Sequence, residues 1–364
     1  MSATTSSAAS GPLSAESGRS PTRAVGLWLL VCCAMVLAMA VIGAITRLTE
    51  SGLSIMEWAP ISGALPPLSQ AEWQRLFDLY RQIPEYSQVN AGMSLEEFKT
   101  IFWWEYVHRL WGRLIGVVFV LPLAWFWLRG RIERPLRRRL LLALALGGAQ
   151  GLLGWFMVAS GFAERTDVSQ YRLTAHLALA LLIYGYLFWL ALGVLWPRPE
   201  RSRDGAALPL RRALWVLLAL VGITIASGGF VAGLNAGLTY NTFPLMDGDL
   251  IPRGYADLSP WIANLFENIA AVQFNHRLLA IATVIFAFVL WGWSLSRDLA
   301  PAAQMGFAAL ALLALIQLAL GITTLLLVVP IPLAAVHQAG AVLVLTATLW
   351  TLYHLRGRPE AAKR

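Results

Sequence analysis

The chain has 364 residues, of which 58% are hydrophobic and only 13% charged, and it carries a formal net charge of +8. That balance excludes a soluble globular domain, in which about a quarter of residues are charged, and it predicts an all-α protein crossing a membrane many times. The two cysteines, adjacent at Cys32 and Cys33 in an apolar run, exclude a disulfide framework and are read as lipid-facing or packing residues.

In chain order, the Ser/Ala/Gly-rich start is read as a disordered cytoplasmic tail over 1–23, because it has no apolar core of its own. The first apolar segment is long enough to span, which argues against a cleaved signal peptide. Windows able to cross a hydrocarbon core of about 30 Å run from Ala24 to Thr46, Trp104 to Leu128, Leu140 to Ser160, Leu173 to Trp196, Ala213 to Val231, Ile269 to Leu295, Ala303 to Val328 and Ala334 to His354. The expected architecture is eight transmembrane helices in two pseudo-symmetric four-helix bundles: an N-terminal half over 24–196, a basic linker over 197–212, a C-terminal half over 213–355 and a tail over 356–364.

Orientation follows from Lys and Arg. With the N-terminus inside, the inner segments collect 18 of the 28 basic residues, with six arginines between Arg129 and Arg139. Both termini are therefore expected in the cytoplasm. The positive excess belongs to these loops and to anionic headgroups, not to nucleic acid. The long first outer loop, roughly Arg47 to Phe102, carries Trp58, Trp73, Trp103 and Trp104 and an amphipathic patch from Glu72 to Tyr80. It is expected to lie on the membrane surface and cap a pocket in the N-terminal half, and Ala232 to Asn268 would cover a second pocket.

Four histidines occupy matching places: His108 and His176 in the first half, His276 and His337 in the second. Each falls in the first turns of an apolar segment, near the outer surface, and an ionisable group at membrane depth reads as functional. Related text surrounds them. Glu105-Tyr-Val-His108-Arg109-Leu110 matches Gln273-Phe-Asn-His276-Arg277-Leu278, Gln150 to Gly154 matches Gln317 to Gly321, and Gly43 to Leu53 resembles Gly229 to Leu238. An internal duplication explains all three.

Two imidazoles facing one another across a bundle suit the axial positions of a porphyrin iron. A closed zinc site wants four converging ligands, and non-heme iron usually adds carboxylates. His108 would therefore pair with His176 and His276 with His337, one heme per pair, and Gly112, Gly116 and Ala280 would admit a flat ring or a neighbouring helix. Arg109 and Arg277 are placed to meet heme propionates; snorkelling to headgroups is the plainer alternative. Glu105 stands one turn from His108 on the same face, where a carboxylate could stabilise developing positive charge or accept a proton. Gln273 can do neither as a charged base, which points to reaction in the first half.

The duplicated layout, Glu105-x-x-His108-Arg109, Asn275-His276-Arg277 and the loop text from Thr46 to Ser54, continuing through Trp58, Pro60, Gly63, Pro66 and Pro67, together resemble the heme A synthase family. The resemblance covers about Ala24 to His354. It implies an oxidoreductase that turns a porphyrin methyl of heme O into a formyl group by successive hydroxylations with water as the oxygen source. It further implies heme b between His276 and His337, substrate beside His108 and His176, and Glu105 as the functional glutamate. Some members carry a cysteine pair in the first outer loop, which this chain lacks. The implied setting is a bacterial inner membrane, ahead of a mitochondrial one, with an electron acceptor, heme O synthase and terminal oxidase assembly factors as partners; a homo-oligomer is compatible with it. Two other classes share paired histidines: a diheme b-type cytochrome exchanging electrons with quinol, and a heme transporter or chaperone.

Overall fold

The computed structural model describes residues 21–59, 62–162, 166–197, 199 and 207–356. Among them the secondary structure is helical, with no strand and a single isolated bridge between Met246 and Asp249. Ten α-helices run in order: α1 (Pro21–Leu48), α2 (Gln70–Tyr80), α3 (Pro84–Gln88), α4 (Leu95–Leu128), α5 (Arg134–Val158), α6 (Gln170–Leu195), α7 (Ala207–Gly233), α8 (Ile269–Leu295), α9 (Pro301–Leu326) and α10 (Ile331–His354). All but α2 and α3 are long and apolar enough to span a bilayer. The expectations for residues 1–20, for 198 and 200–206 of the linker and for 357–364 lie outside the described residues.

Several helices begin before the apolar windows do. The largest difference is at α4, which starts nine residues ahead of Trp104 because Ser94 and Glu97 form a reciprocal capping box there. Its first turns stand clear of the apolar window and form the wall on which the first outer loop packs. Phe77 and Tyr80 of α2 lie against Phe98, with ring centroids 5.1 and 5.4 Å apart, and Trp73 meets Phe102 edge-on at 4.8 Å. The apolar face of the Glu72–Tyr80 patch is thus spent on α4.

Helix α1 packs on α4 and α6, and α5 on α6; α8 packs on α7 and α9, and α10 on α9 and α7. The two groups meet where α6 contacts α7 and where α1 and α6 contact α10. The main buried core draws on the start of α1 (Val25, Leu29), the end of α4 (Phe119, Phe126), the start of α7 (Leu210, Leu214) and the end of α10 (Leu352, Tyr353). It fills the end of the helices away from the histidines. Cys32 and Cys33 are buried in it, which selects packing over a lipid-facing role.

The loops at the other end are tied to one another. Arg47 donates from Nη2 to Asp167 Oδ2 at 2.6 Å and to Asn235 Oδ1 at 3.0 Å, and Tyr171 donates to Glu267 Oε1 at 2.7 Å. Asn241 donates to the Leu325 carbonyl at the close of α9. These bonds place the starts of α4, α6, α8 and α10 at one end of the molecule.

Candidate functional site

The four histidines sit on those four helices, and each ring stands against the membrane-spanning helix that precedes its own. A Cβ on Gly43 of α1 would lie 3.0 Å from His108 Cε1; on Gly154 of α5, 3.0 Å from His176 Cε1; on Gly228 of α7, 3.1 Å from His276 Cε1; on Gly321 of α9, 2.8 Å from His337 Cε1. Only a residue without a side chain lets the ring come this close. His108 and His176 are near enough for their charges to interact, and so are His276 and His337. The structure thus brings together the two pairs expected from topology.

The donor set can be read at His276. Its Nδ1 is 2.8 Å from Ser227 Oγ, and that hydroxyl already donates to the Thr224 carbonyl at 2.7 Å. A serine has one proton to give, so Nδ1 carries the proton of the shared bond and Nε2 keeps its lone pair. That is the tautomer of a metal-ligating imidazole oriented by an outer partner. Gln317 and Gln150 donate to the His337 and His176 carbonyls at 2.8 and 3.1 Å, fixing α9 to α10 and α5 to α6 beside the rings. The buried Nδ1 atoms of His108 and His337 have no hydrogen-bond partner. Among the described residues no three His, Cys, Asp or Glu side chains are arranged to hold one metal ion, so the donors come two at a time. His276 and His337 fit a heme held by a pair of imidazoles; at His176 the Gln150 amide lies 3.2 Å from both ring nitrogens and would have to turn aside for the ring to ligate.

Glu105 and Gln273, both 3% exposed, are the hubs of two matching clamps. Glu105 Oε1 accepts from Arg109 Nε and Nη2 at 2.9 and 2.6 Å, and Oε2 accepts from Ser54 Oγ at 2.8 Å and the Ile55 N–H at 2.7 Å. Arg109 continues to the carbonyls of Ile55 and Glu57. In the second half Gln273 Oε1 accepts from Arg277 Nη2, its Nε2 donates to the Ala236 and Thr239 carbonyls, and Arg277 reaches the Tyr240 and Thr242 carbonyls. Ser54, Ile55 and Glu57 are separated from Thr239, Tyr240 and Thr242 by the same interval that separates Gly43 from Gly228. The exchange of Glu for Gln therefore tracks the polarity of the loop: one loop offers an N–H and a hydroxyl, the other carbonyls.

Arg109 and Arg277 are accordingly loop clamps first. Four of the five guanidinium N–H groups of Arg109 are taken by these contacts, while Arg277 leaves Nε without a partner. Arg113, one turn along α4 and passed over in the sequence, extends the first clamp to the Ala59 carbonyl at 2.8 Å. Gly112 faces Met39, and Gly116 faces nothing within 4 Å. The four glycines at the rings were also passed over, although two stand in the repeated Gln150–Gly154 and Gln317–Gly321 text. The repeat is in addition shifted by one: the counterpart of Gly43 is Gly228, not Gly229, which faces Thr174.

The sequence model of the COX15-CtaA family, described as cytochrome oxidase assembly protein, matches residues 26–349. A heme A synthase of Rhodospirillum centenum is 55% identical over 343 residues, 94% of this chain and 91% of its own. Those of Nitrosospira multiformis and Nitrosomonas eutropha are 51% and 52% identical, covering 91% and 90% of this chain and 93% and 92% of theirs.

Proposed function

This chain belongs to the COX15-CtaA family of cytochrome oxidase assembly proteins, and from that membership we infer its reaction and the division of labour between its halves. It is an integral membrane oxidoreductase that converts heme O to heme A. We propose two pseudo-symmetric four-helix bundles, the N-terminal one over 24–196 receiving heme O between His108 and His176 and the C-terminal one over 213–355 holding heme b between His276 and His337. Heme b would supply a one-electron redox centre there, and the His276 and His337 imidazoles that would hold it would tune its potential. The observation that carries the assignment is the Ser227–His276 bond, which leaves Nε2 free to ligate.

Glu105 is the proposed catalytic group of the first half. Its two oxygens already receive four donors, so its part is that of a fixed acceptor. In a site removed from water, a carboxylate held this way beside the substrate ring stabilises positive charge as the methyl group is oxidised. It needs no reorganisation to do so. The loop over Ser51–Trp58, pinned by Glu105 and Arg109, closes the same end and keeps bulk water from the ring. The unpartnered Arg277 Nε and the remaining Arg109 N–H are available to propionates.

The bias of Arg and Lys supports both termini in the cytoplasm and both heme sites toward the outer face of a bacterial cytoplasmic membrane. Electrons leave to a separate acceptor. Substrate delivery and product removal belong to heme O synthase and to terminal oxidase assembly factors.

The test is to express the chain in cells that make heme O, extract the hemes bound to the purified protein and chromatograph them. Heme A or its hydroxylated precursor is expected. Heme b alone, with heme O untouched, would instead indicate an electron-transfer cytochrome.

A further inference from the structure

The first outer loop buries a carboxyl group that the clamp does not use. Glu85, in α3, is 3% exposed, and its buried Oε2 has no hydrogen-bond partner. It adjoins in the chain the loop cluster of Tyr80, Ile83 and Phe98, and an ionised carboxylate there would have little water and no donor at Oε2. The charged groups near it are Glu105 of α4, Glu50 in the turn that follows α1, Asp167 of the α5–α6 loop and Arg47 of α1, with the Tyr80 hydroxyl of α2 also close. Neither Tyr80 nor Arg47 is hydrogen-bonded to Oε2: the Tyr80 hydroxyl accepts from Asn90, Arg47 Nη2 is held by Asp167 and Asn235, and Glu85 Oε2 has no partner. Burial, followed by the like charges of Glu50, Asp167 and Glu105 and opposed by Arg47, pushes the Glu85 carboxyl up to about 8. It exchanges its proton near neutral pH, where an ordinary carboxyl has long since lost it.

This bears on the oxidation assigned above. Turning a methyl group into a formyl group with the oxygen of one water molecule releases four protons and four electrons. The electrons pass to the acceptor of the oxidation; the protons need their own way out of a closed site. Glu105, with donors on both oxygens, has no open place for one. We propose that Glu85 is the proton acceptor of this site, taking protons released beside Glu105 and passing them to Glu50 and Asp167 at the outer surface. Each transfer converts the Glu85 carboxylate to the acid and back, with no net change in the loop. The inference rests on the first half being where heme O is oxidised.

The test uses the full-length protein in membranes, as wild type, Glu85→Gln and Glu85→Asp. Infrared difference spectra between pH 6 and 9 are expected to show a protonated-carboxyl band in wild type that titrates near the value of about 8. The band should be absent from Glu85→Gln and kept, displaced, in Glu85→Asp. Heme A formation in wild type should rise toward that pH, because the group must be ionised to accept. In Glu85→Gln the rate should fall on the order of tenfold or more and lose this pH dependence, with heme b content unchanged; Asp should restore both. A wild-type band that persists in Glu85→Gln, or a Gln variant with the wild-type rate and pH profile, overturns the relay alone. If Glu85→Gln fails to fold, the wild-type titration and the Asp variant decide by the same criteria. A wild type that leaves heme O untouched overturns the enzyme reading and the relay with it.

Discussion

His337 stands so close to α9 that a methyl group on Gly321 would lie 2.8 Å from its ring carbon Cε1, and His276 has the same relation to Gly228 at 3.1 Å. A contact of 2.8 Å cannot be kept and one of 3.1 Å is tighter than carbon atoms ordinarily accept, so alanine at Gly321 must turn the imidazole or part the helices and alanine at Gly228 must displace the ring by a few tenths of an ångström. Close packing transmits such a shift directly to the ring. Gly228→Ala and Gly321→Ala are expected to lower heme b content severalfold. Gly292→Ala, on α8 with nothing within 4 Å of its Cβ position, should bind heme like wild type. The absorbance of bound heme per protein checks this.

The Glu105 clamp predicts a loop phenotype as well as a catalytic one. A glutamine amide cannot accept from both Ser54 and the Ile55 N–H while also holding Arg109, and breaking one side of a buried charged pair costs about 3–5 kcal/mol. Glu105→Gln should abolish heme A formation and speed proteolysis between Ser51 and Trp58, with heme b retained. Gln273→Glu should loosen the second loop instead, because a carboxylate there faces the Ala236 and Thr239 carbonyls. Limited proteolysis followed by mass spectrometry separates the two.

Ser227 tunes the proposed heme b site. By accepting from His276 Nδ1 it makes the imidazole a stronger electron donor, which favours the ferric state. Ser227→Ala should keep the heme and raise its midpoint potential in a spectroelectrochemical titration. An unchanged potential would mean that His276 does not hold the heme.

Glu85 gives the loop a pH-dependent stability. The fold raises this carboxyl from its ordinary value of 4.5 to about 8. Between those values the folded protein holds a proton that the unfolded chain has released. Stability therefore falls as pH rises through that window and is flat above it. Glu85→Gln removes this slope, so it should match wild type near pH 4.5 and resist loop proteolysis better than wild type at pH 9.

What the sequence disclosed depended on how rare each signal is at membrane depth. Histidines, Glu105 and the arginines are unusual there, and their repetition exposed the pairs. Gly43, Gly154, Gly228 and Gly321 were hidden because small residues are common in packed membrane helices; nothing in a lone glycine tells which ring will face it. The arginines pointed to propionates by chemistry alone; their bonds to the loop carbonyls of Ile55, Glu57, Tyr240 and Thr242 became visible only in the fold. The start of α4 escaped a hydropathy window because Leu95–Trp103 is amphipathic, although the capping box at Ser94 was legible. Glu85 escaped because only the folded loop buries it.

The central claim is that substrate and resident heme occupy different halves. The most direct measurement is chromatography of hemes extracted from His108→Ala and His276→Ala, each expressed with heme O. The account predicts that His108→Ala keeps heme b and makes no heme A, while His276→Ala loses heme b. Loss of heme b from His108→Ala with retention in His276→Ala would contradict it.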